Sequence, residues 1–328
     1  MKILVTGGTG FLGAHVVRLL LEEGHRVKVL LRKSSPRRLL EGMKVEEFIG
    51  DVTDRKSVFE AVRGMEIVFH VAGYISFWRG EKEIQTQVNV EGTRNIVEAS
   101  LENGVGRLIH TSSIAALGRV PDGALGDETL PFDWWPYRIN YNNSKYLAEK
   151  EVEKGVAQGL SAVVVNPATI FGPGEIHAHS GRLILSIKKG RVPFYVPGGC
   201  CTCDVRDVAR GHLLAWKKGK VGERYILGGE NFTWKEIMTV VADLVGARPP
   251  SFQLPTPLYK GMARLLEGIA LFTKKRPSIT TETAHYLGHC FYFSSEKAIR
   301  ELGYTITPFR KTIEEAYRWF LENGYLQP

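Results

Sequence analysis

The opening stretch MKILVTGGTGFLGA constrains this chain more than any other. Lys2 to Val5 read as a short buried strand, Thr6 to Gly13 supply a glycine-rich turn, and Phe11 onward opens a helix. Gly7, Gly10 and Gly13 are spaced G-x-x-G-x-x-G. Glycine lets such a turn take positive φ and lets its backbone approach a pyrophosphate, which then sits on the positive end of the helix. A strand directly before the glycines and a helix directly after them is the context a dinucleotide-binding turn requires.

The same alternation continues. The helix over Phe11–Glu23 spaces Leu12, Val16, Leu19 and Leu20 at helical intervals and ends at Gly24. Strands are expected at Val27–Leu31, Val45–Gly50, Ile67–Val71 and Arg107–Thr111, with a helix at Ile84–Glu102. Continuous apolar runs alternating with 3.6-residue patterns specify an α/β fold, a Rossmann-type doubly wound parallel sheet. Residues 1–166 form the dinucleotide-binding domain in this reading. Residues 167–328 form a smaller, mostly helical substrate lobe, with about 200–228 returning to the first domain.

The end of the second strand bears on the choice of cofactor. A carboxylate there would bind the adenosine ribose hydroxyls and select NAD. This chain has Leu31 followed by Arg32, Lys33, Ser34 and Ser35, a set suited to a ribose 2′-phosphate, so NADP is expected over NAD. Asp51 is placed to accept from the adenine amino group or to cap the next helix, a task that Thr53 or Asp54 could also perform.

The chain has 328 residues and a net charge of +8, with Lys and Arg dispersed rather than gathered in an arm. That favours an anionic small molecule or a plain basic surface, and no nucleic-acid partner. No apolar run spans a bilayer, and a glycine turn at residue 6 leaves no room for a leader in front of it, so a cytoplasmic protein is expected. Cys200, Cys201 and Cys203 have no second cysteine cluster to complete a metal site; despite His177 and His179 upstream, no metal is expected, and the cysteines are assigned to a pocket wall.

The fifth strand ends in Thr111-Ser112-Ser113, where sheets of this kind place their reactive groups. Tyr141 and Lys145 follow at i and i+4, on one face of a helix. A nearby ammonium would lower the phenol pKa from about 10 toward neutrality. A tyrosine so tuned exchanges a proton with a carbonyl or hydroxyl, whose oxygen a serine hydroxyl can hold.

With these residues in view, the whole chain resembles the extended short-chain dehydrogenases/reductases, the NAD-dependent epimerase/dehydratase family. The matching stretches are TGGTGFLG (6–13), GDVTD (50–54), HVAG (70–73), NVEGTRN (89–95), TSS (111–113), YNNSK (141–145), NPATIFGPG (166–174) and DVRDVA (204–209). The resemblance implies Ser113, Tyr141 and Lys145 as the catalytic residues, with Lys145 also on the nicotinamide ribose. It implies a cofactor site built from Gly7, Thr9, Gly10, Phe11, Leu12, Gly13, Asp51, Val52, Val71, Ala72, Gly73, Thr111 and Thr169. Asn166 and Pro167 would lie near the carboxamide, and Arg32, with Lys33, on the 2′-phosphate. Asn89 is a weaker match, its plain role being to bond backbone. The stretches EGTRNIVEA, RYILGGEN, SSEKAIRELGY and WFLENGYL resemble bacterial dihydroflavonol-4-reductase-like proteins, some of them labelled hopanoid-associated sugar epimerases. Nucleotide-sugar epimerases place an arginine and an asparagine before G-P, where this chain has Asn166 and Thr169. They place an arginine before H-V-x-D-V, where it has Cys200. The expected activity is therefore NADPH-dependent reduction of a ketone or aldehyde on a mainly apolar molecule; the alternative is an epimerase or dehydratase of a sugar nucleotide. Relatives dimerise through the helices matching 84–102 and 142–154, implying a homodimer.

Tyr74, Trp78, Trp134, Trp135 and Tyr195 are the candidate substrate residues, with Phe77, Tyr137 and Phe171 as further pocket aromatics. The Trp134-Trp135-Pro136 loop is the strongest of these, because loops beside a catalytic helix carry recognition. Leu258–Phe272, followed by Lys274-Lys275-Arg276, could roof an apolar substrate or rest on an anionic membrane; it is read as a core-facing helix with a basic C-terminal turn.

Overall fold

The computed structural model describes residues 1–175 and 180–326; His177 and His179 lie outside them. Seven parallel strands form the central sheet: β1 (Lys2–Thr6), β2 (Arg26–Leu31), β3 (Glu46–Ile49), β4 (Ile67–His70), β5 (Arg107–Thr111), β6 (Ala162–Pro167) and β7 (Arg224–Leu227). Their order is β7-β6-β5-β4-β1-β2-β3. The chain moves outward in one direction from β1 through β2 to β3, then crosses to β4 on the other side. The crevice where the order reverses lies beyond the carboxyl ends of β1 and β4, the place where such sheets bind ligands.

Burial explains the strands. Ile3, Leu4 and Val5 on β1, and all of Ala162–Pro167 on β6, are buried, as both faces of a helix-covered parallel sheet must be. The first helix, Phe11–Glu22, turns Leu12, Val16, Val17 and Leu20 onto the sheet, each contributing about 1.5–3 kcal/mol. Its chain reverses through Gly24, at φ +80°.

The expected helix Ile84–Glu102 is interrupted by a π-helical turn at Gln87–Glu91 between helices Lys82–Thr86 and Gly92–Glu102. The extra residue in that turn aims the Asn89 side chain off the helix and onto the loop after β4. Its amide oxygen accepts from Tyr74 N–H (2.7 Å), and its nitrogen donates to the Tyr74 carbonyl (3.0 Å) and Ser144 Oγ (3.0 Å). Asn89 thus serves as a backbone clamp.

The strand segments Thr169–Phe171, Gly199–Asp204, Asn231–Thr233 and Cys290–Phe291 form a second sheet over the carboxyl end of the first. Cys200, Cys201 and Cys203 are buried in its middle strand, where burial pushes the Cys200 and Cys201 thiols up to about 12 and about 11. Among the described residues no group of three side chains could hold a metal ion.

Two expectations are corrected here. Trp134 does not line a pocket: it is 1% exposed, its indole N–H donates to the Leu117 carbonyl (3.0 Å), and its ring stacks on Phe291 (5.3 Å, 7°). With its one polar atom satisfied inward and its face covered, this tryptophan ties the segment after β5 to the second sheet. Phe171 is likewise buried, against Phe309. The second correction concerns helix Thr256–Thr273, which is not core-facing along its length; only Tyr259, Ala263 and Ala270 are buried.

Candidate active site

The glycine turn is shaped for close approach. Gly7 sits at φ +71°, and a Cβ on it would lie 2.6 Å from Ala72 N, so no other residue fits between β1 and the end of β4. A Cβ on Gly13 would strike the Gly7 carbonyl. No side chain caps the helix that begins at Phe11, and its first turn carries no acidic residue, so its first N–H groups are left available to an anion. Leu12 is buried in the core and has only its backbone to offer there. This cradle fits the pyrophosphate of a dinucleotide. Arg32 and Lys33 are exposed just beyond β2, in a turn where Arg32 N–H donates to Ser35 Oγ (3.1 Å). Neither forms an ion pair among the described residues. Asp51 Oδ1 accepts from Thr53 N–H and Oγ1 (both 2.9 Å), whereas Asp54 caps helix Arg55–Val62. Val52 is buried, its carbonyl bonded by Asn95.

Helix Asn140–Ala157 buries Tyr141, Lys145, Ala148, Glu149 and Val152 on one face. Three polar side chains at i, i+4 and i+8 on a sheet-facing stripe are costly unless each has partners. Each does. The Ser113 hydroxyl hydrogen-bonds the Tyr141 phenol and accepts from Ala115 N–H (3.2 Å). Lys145 Nζ donates to the Thr111 carbonyl (2.9 Å) and lies 3.3 Å from where a Gly73 Cβ would be. Glu149 accepts from Asn166 Nδ2 (2.7 Å) and pairs with Arg224 (3.5 Å).

The electrostatics differ from the expectation that Lys145 acidifies Tyr141. Burial dominates at the phenol and raises its pKa above the ordinary 10, opposed by the bond from Ser113. The ammonium is engaged on Thr111 instead. Burial also lowers Lys145, to about 8, with Glu149 acting in the opposite direction. Tyr141 is therefore a neutral phenol at pH 7, set to donate a proton. Next to this stripe, His70 bridges Thr6 Oγ1 (2.7 Å) and Thr93 Oγ1 (3.1 Å), and burial brings its pKa down to about 3.

Asn166 lies at the carboxyl end of β6, beside the serine loop. Fully buried, it donates to the Ser113 carbonyl (2.9 Å) as well as to Glu149, and so positions the serine loop. Pro167 ends β6, and the Thr169 hydroxyl bonds the Cys200 thiol.

The ring against Tyr141 is Phe77 (5.6 Å), backed by Tyr286 (4.8 Å from Phe77), which stacks on Phe291 (4.2 Å). Tyr286 belongs to helix Thr281–Leu287, where Glu282 accepts from the backbone N–H of Asn140 (3.1 Å) at the start of the catalytic helix. Burial pushes the Glu282 carboxyl up to about 7. Neither residue was anticipated, since nothing local marks a position so far along the chain. Glu149 could have been found by extending the Tyr141–Lys145 spacing one more turn. Of the other aromatics, Trp78 folds onto Gly80, Trp135 packs outward on Phe132 and Tyr146, and Tyr195 lies under Lys235 (5.9 Å).

Residues 3–228 match the model of the NAD dependent epimerase/dehydratase family. Sterol demethylase protein B of Methylococcus capsulatus is 35% identical over 99% of this chain and 100% of its own. The 2-alkyl-3-oxoalkanoate reductase of Stenotrophomonas maltophilia is 31% identical over 97% of this chain and 98% of its own. The UDP-glucose 4-epimerase of Thermus thermophilus, solved with NAD, superposes with a TM-score of 0.78 at 26% identity, covering 98% of this chain and 99% of that one. The chain belongs to the NAD-dependent epimerase/dehydratase family of extended short-chain dehydrogenases/reductases and is a nicotinamide-dinucleotide-dependent enzyme of it.

Proposed function

We propose that this enzyme reduces a ketone or aldehyde on a mainly apolar small molecule, with NADPH. The observation that carries the reading is a neutral, buried Tyr141 walled by Phe77 and Tyr286. A bound nicotinamide supplies the hydride to the carbonyl carbon. Tyr141 gives its phenolic proton to the carbonyl oxygen, and Ser113 holds that oxygen from the other side, a contribution of the oxyanion-hole type. Lys145, seated on the Thr111 carbonyl, would hold the ribose hydroxyls of the bound coenzyme. The alcohol leaves, and the phenolate regains its proton from solvent.

At the two positions where sugar-nucleotide enzymes carry polar or cationic groups for the diphosphate, this chain has the Thr169–Cys200 pair, whose thiol is neutral. That supports the reductase over the sugar-nucleotide reading. The deciding experiment is a screen of apolar carbonyl compounds and nucleotide sugars that follows NADPH absorbance. Stoichiometric oxidation of NADPH with a carbonyl compound is expected; conversion of a nucleotide sugar with no net loss of NADPH would overturn the assignment.

Arg32→Asp tests the choice of coenzyme. A lost charge-assisted contact to a phosphate, replaced by repulsion, should weaken NADPH binding by about 10²-fold or more, with NADH nearly unaffected. Equal losses for both, measured by fluorescence titration, would remove Arg32 from the 2′-phosphate.

Lys145 gives a pH prediction. Its ammonium is present below about 8 and is lost above it, so coenzyme affinity should fall as pH rises through that value. Glu149 favours the charged lysine, so Glu149→Gln should move this alkaline limb to lower pH. An unmoved limb would show that Lys145 does not set it.

A further inference from the structure

We infer that the outer face of helix Thr256–Thr273 rests on an anionic lipid bilayer. Leu258, Leu265 and Phe272, spaced seven residues apart, run along one side of this helix and are 61%, 66% and 89% exposed. Ile269 lies beside them, and Leu271, on the neighbouring flank, is 80% exposed. A contiguous apolar stripe of this kind on a soluble fold marks an interaction surface.

The charges around the stripe identify the occupant. Lys260 and Arg264 lie with Leu271 on the other edge of the exposed surface, and Lys274 and Lys275 follow the helix's C-terminal end. None of the four makes an ion pair among the described residues, whereas Arg276 is taken by Glu81. The helix's one carboxylate, Glu267, is turned inward, accepting from Thr281 N–H (3.0 Å) and Oγ1. The face is therefore apolar with cations and no exposed acid. A second copy of the chain would bring like charges together across a two-fold axis with nothing to neutralise them. Anionic headgroups with acyl chains beneath complement both parts of the surface, as they do for amphipathic helices that lie in the membrane interface. No helix among the described residues is long and apolar enough to cross a membrane, so this one lies on the bilayer and not through it.

The helix packs on Thr281–Leu287, whose Tyr286 backs the Phe77 wall of the catalytic crevice. Docking would bring that wall alongside the bilayer. The inference does not depend on which reaction the site performs.

Co-sedimentation with vesicles tests it, using phosphatidylcholine alone or mixed equally with phosphatidylglycerol. The wild type should bind the mixed vesicles, more weakly as salt rises, and bind the neutral ones poorly. Each cation lost should lower partitioning about fivefold, so Lys274→Glu/Lys275→Glu should lower it at least tenfold. Leu265→Ser/Phe272→Ser should do likewise with an unchanged thermal unfolding profile, because both side chains are exposed. Failure of the wild type to bind mixed vesicles, or equal binding by all variants, would overturn the proposal. So would a wild-type dimer in sedimentation equilibrium that the Leu265→Ser/Phe272→Ser change dissociates, which would give the face to a second copy.

Discussion

Tyr141→Phe is expected to lower kcat by about 10²- to 10⁴-fold while leaving coenzyme affinity within about twofold of the wild type. The substitution removes one hydroxyl and keeps the ring against Phe77, so the wall of the crevice stays in place. Lys145 remains seated on the Thr111 carbonyl, a bond in which Tyr141 has no part. The loss should therefore fall on kcat, measured in steady state, with fluorescence titration of coenzyme binding as the control. Because burial holds the phenol above its ordinary pKa, the wild type should show no alkaline limb from this group near neutrality in the reducing direction. A mutant retaining more than about a tenth of wild-type kcat would remove Tyr141 from the proton transfer.

The second large effect is on stability. Trp134→Ala should cost roughly 3–5 kcal/mol, read as a shift in the urea midpoint. The indole is covered by Phe291 on one face, meets Tyr137 edge-on (5.5 Å) and satisfies the Leu117 carbonyl, so its removal leaves both a cavity and an unpaired acceptor. A Trp134→Ala protein with an unshifted midpoint and a raised KM would restore this residue to the substrate pocket.

These two residues show where sequence reading reached and where it stopped. The parallel sheet was legible because its signals are local: a buried strand such as Ile3–Val5 is a continuous apolar run, and the covering helix spaces Val16 and Leu20 by a turn. The shared face of Tyr141 and Lys145 was legible for the same reason. Spacing could not say which acceptor the ammonium reaches, and the Thr111 carbonyl that holds it comes from another strand. For Trp134, composition gave an aromatic loop beside a catalytic helix, but its orientation depends on Phe291, far along the chain. Tyr286 and Glu282 were invisible for the same reason. In Thr256–Thr273 the inward and outward faces are both apolar, so periodicity could not separate them.

The seventh strand also sets a schedule for biogenesis. Ala162–Pro167 is apolar along most of its length and pairs on one side with β5, which is complete well before it emerges from the ribosome. Its other neighbour, Arg224–Leu227, is not yet synthesised, and until residues 168 to 223 have been made the nascent sheet ends in a bare ribbon of unsatisfied amides. A protein stalled or truncated in that interval would carry an adhesive margin, the kind of exposed edge that chaperones shield.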